Sequence, residues 1–272
     1  MSLTKKERAI YEDILRWEED FFQNPERQQQ PSKPLFRFDG ESLELLDNLL
    51  FLFNLFMQST KWHTSAADKL LDEARNFDES IQTIGDMQRL PVHTLMYISK
   101  RRIDKEQIRS LLQGGLSGTG NLLFLGLDLP SLLVLNLRAV QFIAMTYGYS
   151  VIHPVEMLLS LKVFYTATIS KKDQYAMWKN LEEEAKMLNH PFFYEGSDKI
   201  IDNDWLQNQL KQIAKAFLIM MLRKKTRQGI PFLSIAIGAW LNYHFSHKVL
   251  EIADKFYAKR LLEERAAAGD EL

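Results

Sequence analysis

Three groupings of residues in this sequence have types and spacing that could do chemistry. His244, His247 and Glu251 stand at i, i+3 and i+7. On a helix they share one face, and two imidazoles with a carboxylate are a ligand set for zinc or iron. One helix rarely supplies a complete set, and His63, His93, His153 and His190 are scattered singly. These histidines therefore read as helix-surface residues, and no metal or cofactor is expected. The second grouping is glycine-rich. Gly118-Thr119-Gly120 begins a dinucleotide fingerprint but lacks its third glycine and a preceding strand. Gly115-Leu116-Ser117-Gly118-Thr119 misses a nucleophile elbow, because position 119 is not glycine. No phosphate-loop lysine follows. Close approach of packed helices is the better reading of Gly114, Gly115, Gly118, Gly120 and Gly126. No catalytic residue is assigned.

The third grouping is a pair of charges. Between Ser110 and Leu161 only Asp128, Arg138 and Glu156 are charged. A charge in apolar surroundings must be paired or neutralised. Ten residues along one helix span ~15 Å, so Asp128 and Arg138 need separate partners. The C-terminal helices are the place to look for them.

The elements that would hold these residues are all helical. Thr4 and Glu7 fit a capping box, and Ile10, Ile14, Trp17 and Phe21 follow on one face. A proline-rich linker covers 24–40. An apolar helix is predicted over Glu41–Met57, and another from Ser65 to about Ile84 through Leu70, Ala74, Phe77, Ile81 and Ile84. Two short helices should follow Pro91 and Asp104, the second capped by Asp104 with Gln107. Two apolar helices then flank a break at Leu127–Pro130, with Asp128 as N-cap and Gly148 at the far C-terminus. Further helices are expected from Pro154 to Thr168, Asp173 to Leu188, Asp204 to Arg223, and Tyr243 to about Arg265. No segment alternates with period two. The fold class is all-α: one multi-helix bundle around a buried apolar helical hairpin.

Composition narrows the function classes. The chain has 272 residues, 46% hydrophobic, with 34 Lys+Arg against 35 Asp+Glu and no cysteine. Disorder, disulfide scaffolds and thiolate metal sites are excluded, and balanced charge argues against a nucleic-acid partner. The opening residues lack the apolar stretch of a secretory signal, which gives a cytoplasmic expectation. Gly269-Asp270-Glu271-Leu272 imitates a retention signal but reads as a polar tail. No run matches the ~20 apolar residues of a membrane span. Asp128, Pro130 and Arg138 interrupt the longest one. The balance is also uneven. Lys211, Lys215, Arg223, Lys224, Lys225 and Arg227 flank the run AFLIMML with no acid among them. Cations beside an apolar face suit an anionic membrane surface.

Motifs in these same regions carry a family resemblance. The run from Gly114 through DLP at 128–130, LNLR at 135–138 and TYGY at 146–149 resembles the core motif of the EcsC family. IPFLSIAIGAWLNYHF at 230–245 is similar to its second motif, and Ala253, Tyr257 and Arg260 fit its final helix. The opening YEDILRWEEDFF resembles bacterial members. Matching signature positions are Asp128, Pro130, Arg138, Tyr147, Gly148, Pro231, Gly238 and Asn242. The resemblance divides the chain into an N-terminal helix (1–23), the linker (24–40), an EcsC-like domain (41–265) and a tail (266–272). It implies a partner as well. The family takes its name from a protein encoded beside two components of a bacterial ABC transporter, a system linked with secretion and intramembrane proteolysis. The function expected is that of a non-catalytic accessory protein at the inner membrane face. Two alternatives stay open: a helical carrier of a lipid or other apolar ligand, and a serine- or metal-dependent hydrolase.

Overall fold

The capping box at Thr4 is formed. The Thr4 N–H donates to Glu7 Oε2 at 3.0 Å, and the Glu7 N–H donates to Thr4 Oγ1 at 3.2 Å. In the computed structural model this opens α1 (Lys5–Gln23). The structure describes residues 3–23, 60–117, 122–169, 171–188 and 234–270. Six more helices follow: α2 (Thr60–Arg75), α3 (Val92–Ser117), α4 (Leu122–Thr146), α5 (Pro154–Thr168), α6 (Lys171–Leu188) and α7 (Ser234–Asp270). A 3-10 turn, Gly85–Arg89, precedes α3. No strand occurs among the described residues, so the chain is an all-α bundle. The linker 24–40, the helices expected over Glu41–Met57 and Asp204–Arg223, the 211–227 cations and Pro231 lie outside the described residues.

Four expectations about helix limits need correction. α2 stops at Arg75 instead of running to Ile84. The Asn76 amide donates to the carbonyls of Asp72 and Glu73, and Asp78 Oδ1 accepts the Ser80 N–H. These local bonds offer the backbone an alternative to the helical ladder. The chain turns, Ile81 and Ile84 still enter the core, and Phe77 is left exposed. α3 is one helix where two were expected, with Asp104 exposed in its middle. An exposed Asp costs a helix interior well under ~1 kcal/mol, less than the packing of Leu95 and Ile98 gains. α4 likewise runs unbroken through Leu127–Pro130. Pro130 removes one bond of the ladder, and the bonds on either side continue the helix. α7 begins at Ser234, nine residues before the expected start, and is ~55 Å long.

α7 is the axis of the molecule. It runs against α1, α3, α4, α5 and α6, and Val249, Leu250, Ile252, Ala253, Phe256, Tyr257, Ala258, Leu261 and Leu262 are all buried. Such burial covers nearly the whole circumference of this stretch. An aromatic cluster ties the ends together. Trp178 of α6 packs against Trp17 and Phe22 of α1 and Phe256 of α7. Gly148 stands where predicted, past the end of α4, at φ +90°. The Tyr149 N–H bonds the Ala144 carbonyl, and the Gly148 N–H bonds that of Met145. This is the paired closure of a Schellman motif. A Cβ at 148 would lie 2.3 Å from Gln88 Cγ, so glycine is also required by the close approach of the 3-10 turn.

No helix among the described residues is long and apolar enough to cross a membrane.

Candidate functional site

Polar chemistry in this fold concentrates on one stretch of α7, from Asp254 to Arg265. Asp254 Oδ1 accepts two hydroxyls, Ser99 Oγ of α3 at 2.5 Å and Tyr147 OH at 2.7 Å. Its carboxyl is enclosed by the surrounding helices. Burial raises it above the usual carboxylate range, although the two hydroxyl bonds pull the other way. Tyr147 is buried beside it, and burial together with the Asp254 charge holds its phenol well above the usual value.

One turn further, two adjacent cations leave α7 in different directions. Lys259 bonds Glu18 of α1 at 2.5 Å and also bonds Glu182 of α6. Lys179 bonds the same two carboxylates. Burial pulls the Glu18 carboxyl up, but Lys179 and Lys259 outweigh it and hold it below the ordinary value. Arg260 makes a two-pronged bond to Glu156 of α5, each arm 2.8 Å. Its guanidinium lies 3.9 Å over the Tyr149 ring, and its Nε bonds Glu264. Burial alone would weaken the protonated guanidinium, yet the Glu156 contact raises its pKa. At the end of the row Arg265 bonds Glu7 and donates to the carbonyls of Gln88 and Leu90. Helices α1, α3, α5 and α6 thus each send a polar side chain to it. Tyr147 and Tyr149 do so from the segment that follows α4.

The signature positions divide accordingly. Tyr147 meets the α7 row, together with Tyr257 and Arg260 of the final helix, while Gly148 stands against Gln88 of the 3-10 turn. Arg138 is half-buried on α4, and burial lowers its pKa. Asp128 and Pro130 lie on the same helix eight or more residues earlier, and Gly238 and Asn242 lie on the first part of α7. Their side chains are outside the described residues. Unbroken α4 sets the backbones of Asp128 and Arg138 ~15 Å apart along the helix.

The histidine set does not assemble into a metal centre. Glu251 Oε1 accepts the Trp17 indole N–H at 2.8 Å, and its other oxygen is 3.9 Å from His247 Nε2. His244 and His247 are exposed. Among the described residues, no three metal-ligating side chains gather.

Sequence reading missed several members of this row. Glu18, Ser99, Glu182, Asp254 and Lys259 were not singled out. A signal was present for Glu18, which falls between Ile14 and Phe21 on the apolar stripe of α1. Asp254 does the same between Leu250 and Tyr257. Lys248 was also missed. Burial, with the nearby Lys171 charge adding to it, brings its ammonium down to about 8.

The model of the EcsC protein family matches residues 8–262. An uncharacterized protein of Bacillus subtilis (strain 168), YdbA, is 21% identical over 188 residues. That match covers 69% of this chain and 65% of the relative, so the chain spans just under two thirds of that protein's length. No solved structure matches. With the family model matching residues 8–262, nearly the whole chain, the chain belongs to the EcsC protein family.

Proposed function

We propose that this chain is a non-catalytic accessory protein that docks on the anionic, cytoplasmic face of a membrane, beside a membrane protein such as an ABC transporter. The observation that carries the reading is the 211–227 segment. Six cations and no acid flank an apolar run there, in a chain whose overall charge is −1. Each such cation near an anionic surface contributes roughly 1 kcal/mol, so the segment together supports reversible docking. The geometry favours a non-catalytic role. Glu18, Glu156, Lys259 and Arg260 bind one another across helices, and Asp254 is closed off by two hydroxyls. These groups join helices and leave no paired acid and base facing a substrate.

Flotation with vesicles containing anionic lipid tests the reading. At low salt the wild-type chain should rise with the vesicles, and the triple variant Arg223→Glu, Lys224→Glu, Lys225→Glu should stay behind. A wild-type chain that remains in the soluble fraction would end the proposal, and so would a triple variant that floats equally well.

A further inference from the structure

A second concentration of cations lies far from 211–227 in the sequence, and it encloses a cavity. The second half of α2 and the first half of α3 face each other across a cleft of ≈ 220 Å³ floored in part by Phe142 of α4. Lys69 of α2 and Arg101, Arg102 and Lys105 of α3 line it, with Glu73 as the single acid among its described lining residues. Glu73 bonds Arg101 at 2.6 Å. Lys69 stands four residues before Glu73, at the spacing of a same-helix ion pair, but Glu73 reaches across the cleft. No acid of the described residues pairs with Lys69 or Lys105. Arg102 is held with its guanidinium 4.6 Å over the Phe142 ring, which fixes the direction of its charge.

This arrangement costs the fold something. Arg101 and Lys105 are a like-charge pair at i, i+4 on one helix, a spacing that destabilises by about 0.2–0.5 kcal/mol. The fold elsewhere shows how it treats cations it uses for stability: Lys259 and Arg260 each receive carboxylates. Here Lys69 and Lys105 receive none from the described residues. A concave site lined mainly by cations attracts a compact polyanion. The cavity is smaller than the ~300 Å³ at which drug-sized pockets begin, so the ligand is a small headgroup-sized anion. Planar guanidinium and ammonium groups together match phosphate oxygens.

We infer that the cleft between α2 and α3 is a binding site for a phosphate group, recognised by Lys69, Arg101, Arg102 and Lys105. The phosphate can come from a free phosphorylated metabolite or from a lipid headgroup. The rim suits the lipid source. Tyr97 and Phe77 are half-exposed in an edge-to-face pair, 6.3 Å between centroids, and the Arg101 guanidinium sits 5.9 Å from the Tyr97 ring. Exposed aromatics beside cations are what a membrane–water interface accepts. The site uses none of the 211–227 residues, so it stands or falls separately from the docking proposal.

Two arms with the full chain test it. Calorimetric titration with inorganic pyrophosphate at low salt should give saturable binding. The double variant Lys69→Gln, Lys105→Gln should weaken it by about tenfold or more, the loss expected for two charge-assisted contacts. The double variant Lys5→Gln, Lys6→Gln removes the same charge from the exposed start of α1 and should bind as wild type does. In the second arm, flotation compares vesicles of phosphatidylcholine containing phosphatidic acid with those containing phosphatidylglycerol. A preference for phosphatidic acid that disappears in the 69/105 variant assigns the phosphate to lipid. Pyrophosphate binding without that preference assigns it to a soluble ligand. The inference is overturned if neither pyrophosphate nor phosphatidic acid binds. It is equally overturned if the 69/105 variant binds like wild type, or if the 5/6 variant weakens as much.

Discussion

The Asp254–Arg265 stretch of α7 and the α2–α3 cleft both concentrate charge, and they handle it in opposite ways. On α7 Lys259 and Arg260 are buried and matched. Arg260 has Glu156 and Glu264, and Lys259 has Glu18 and Glu182. In the cleft Lys69, Arg101 and Lys105 are exposed, and Glu73 is the one acid among the described lining residues. Charges inside a fold must be neutralised by the chain itself, because water is not there to do it. Charges on a surface need no such partner, and a concave surplus of one sign is a means of attracting something else. The difference separates residues that hold the fold together from residues that we infer to serve a ligand.

Breaking the matched side should have the largest effect. Arg260→Met leaves the Glu156 carboxylate buried without its partner, and about 3–5 kcal/mol of stability should be lost. Urea unfolding measures it. Adding Glu156→Met on top should recover much of that loss, because a well-packed apolar pair replaces an ion pair at little net cost. A double variant no better than the single one would show that the pair does more than neutralise itself. Gly148→Ala comes next. Its residue must adopt φ +90° and its Cβ must displace Gln88, so about 1–3 kcal/mol should be lost. Thermal unfolding would show it as a lowered midpoint with the helical signal intact.

pH separates two carboxyls within the same row. Glu18 is held below the ordinary value by its lysines despite burial. Its contribution to stability is therefore full above the ordinary carboxylate pKa and is lost as pH falls through the lower folded value. Asp254 is raised by burial, so the folded chain holds its proton more tightly than the unfolded chain does. Its contribution is greatest below the ordinary value and is lost as pH rises through the raised one. Asp254→Asn keeps an oxygen to accept from Ser99 and Tyr147 and removes the titration. Stability measured from about pH 2 to 8 should then lose its falling component, while the acid-side loss that Glu18 causes stays. An unchanged profile would mean that Asp254 titrates alike in both states.

How much of this could be read beforehand follows from the same contrast. Periodicity found Ile14, Trp17 and Phe21, and the capping pair at Thr4 and Glu7 is local chemistry that one turn of chain decides. Gly148 was legible because a helix end with a left-handed residue has a short-range signature. The α7 row was not, because its partners are far apart in sequence: Lys259 and Glu18 are separated by 241 positions. A charged residue on an apolar stripe says that a partner exists without saying where. The break expected at Pro130 failed for the opposite reason, a local rule overridden by the rest of the helix. The cleft was illegible because each cation taken singly reads as an ordinary solvated lysine or arginine. Only the packing of α2 on one side and α3 on the other turns four of them into a site.

The smallest effect is the most telling for the comparison. Lys69→Gln with Lys105→Gln should change stability by no more than about 0.5 kcal/mol in either direction, and relief of the Arg101–Lys105 repulsion favours a slight gain. Denaturant unfolding of this variant beside Arg260→Met would place the two regions on one scale. If the lysines were structural, removing them would cost as much as losing a cap or a buried bond, and the cleft would join the α7 row as part of the fold. A neutral or slightly stabilised variant that has lost pyrophosphate would mean that these cations contribute to binding and nothing to folding.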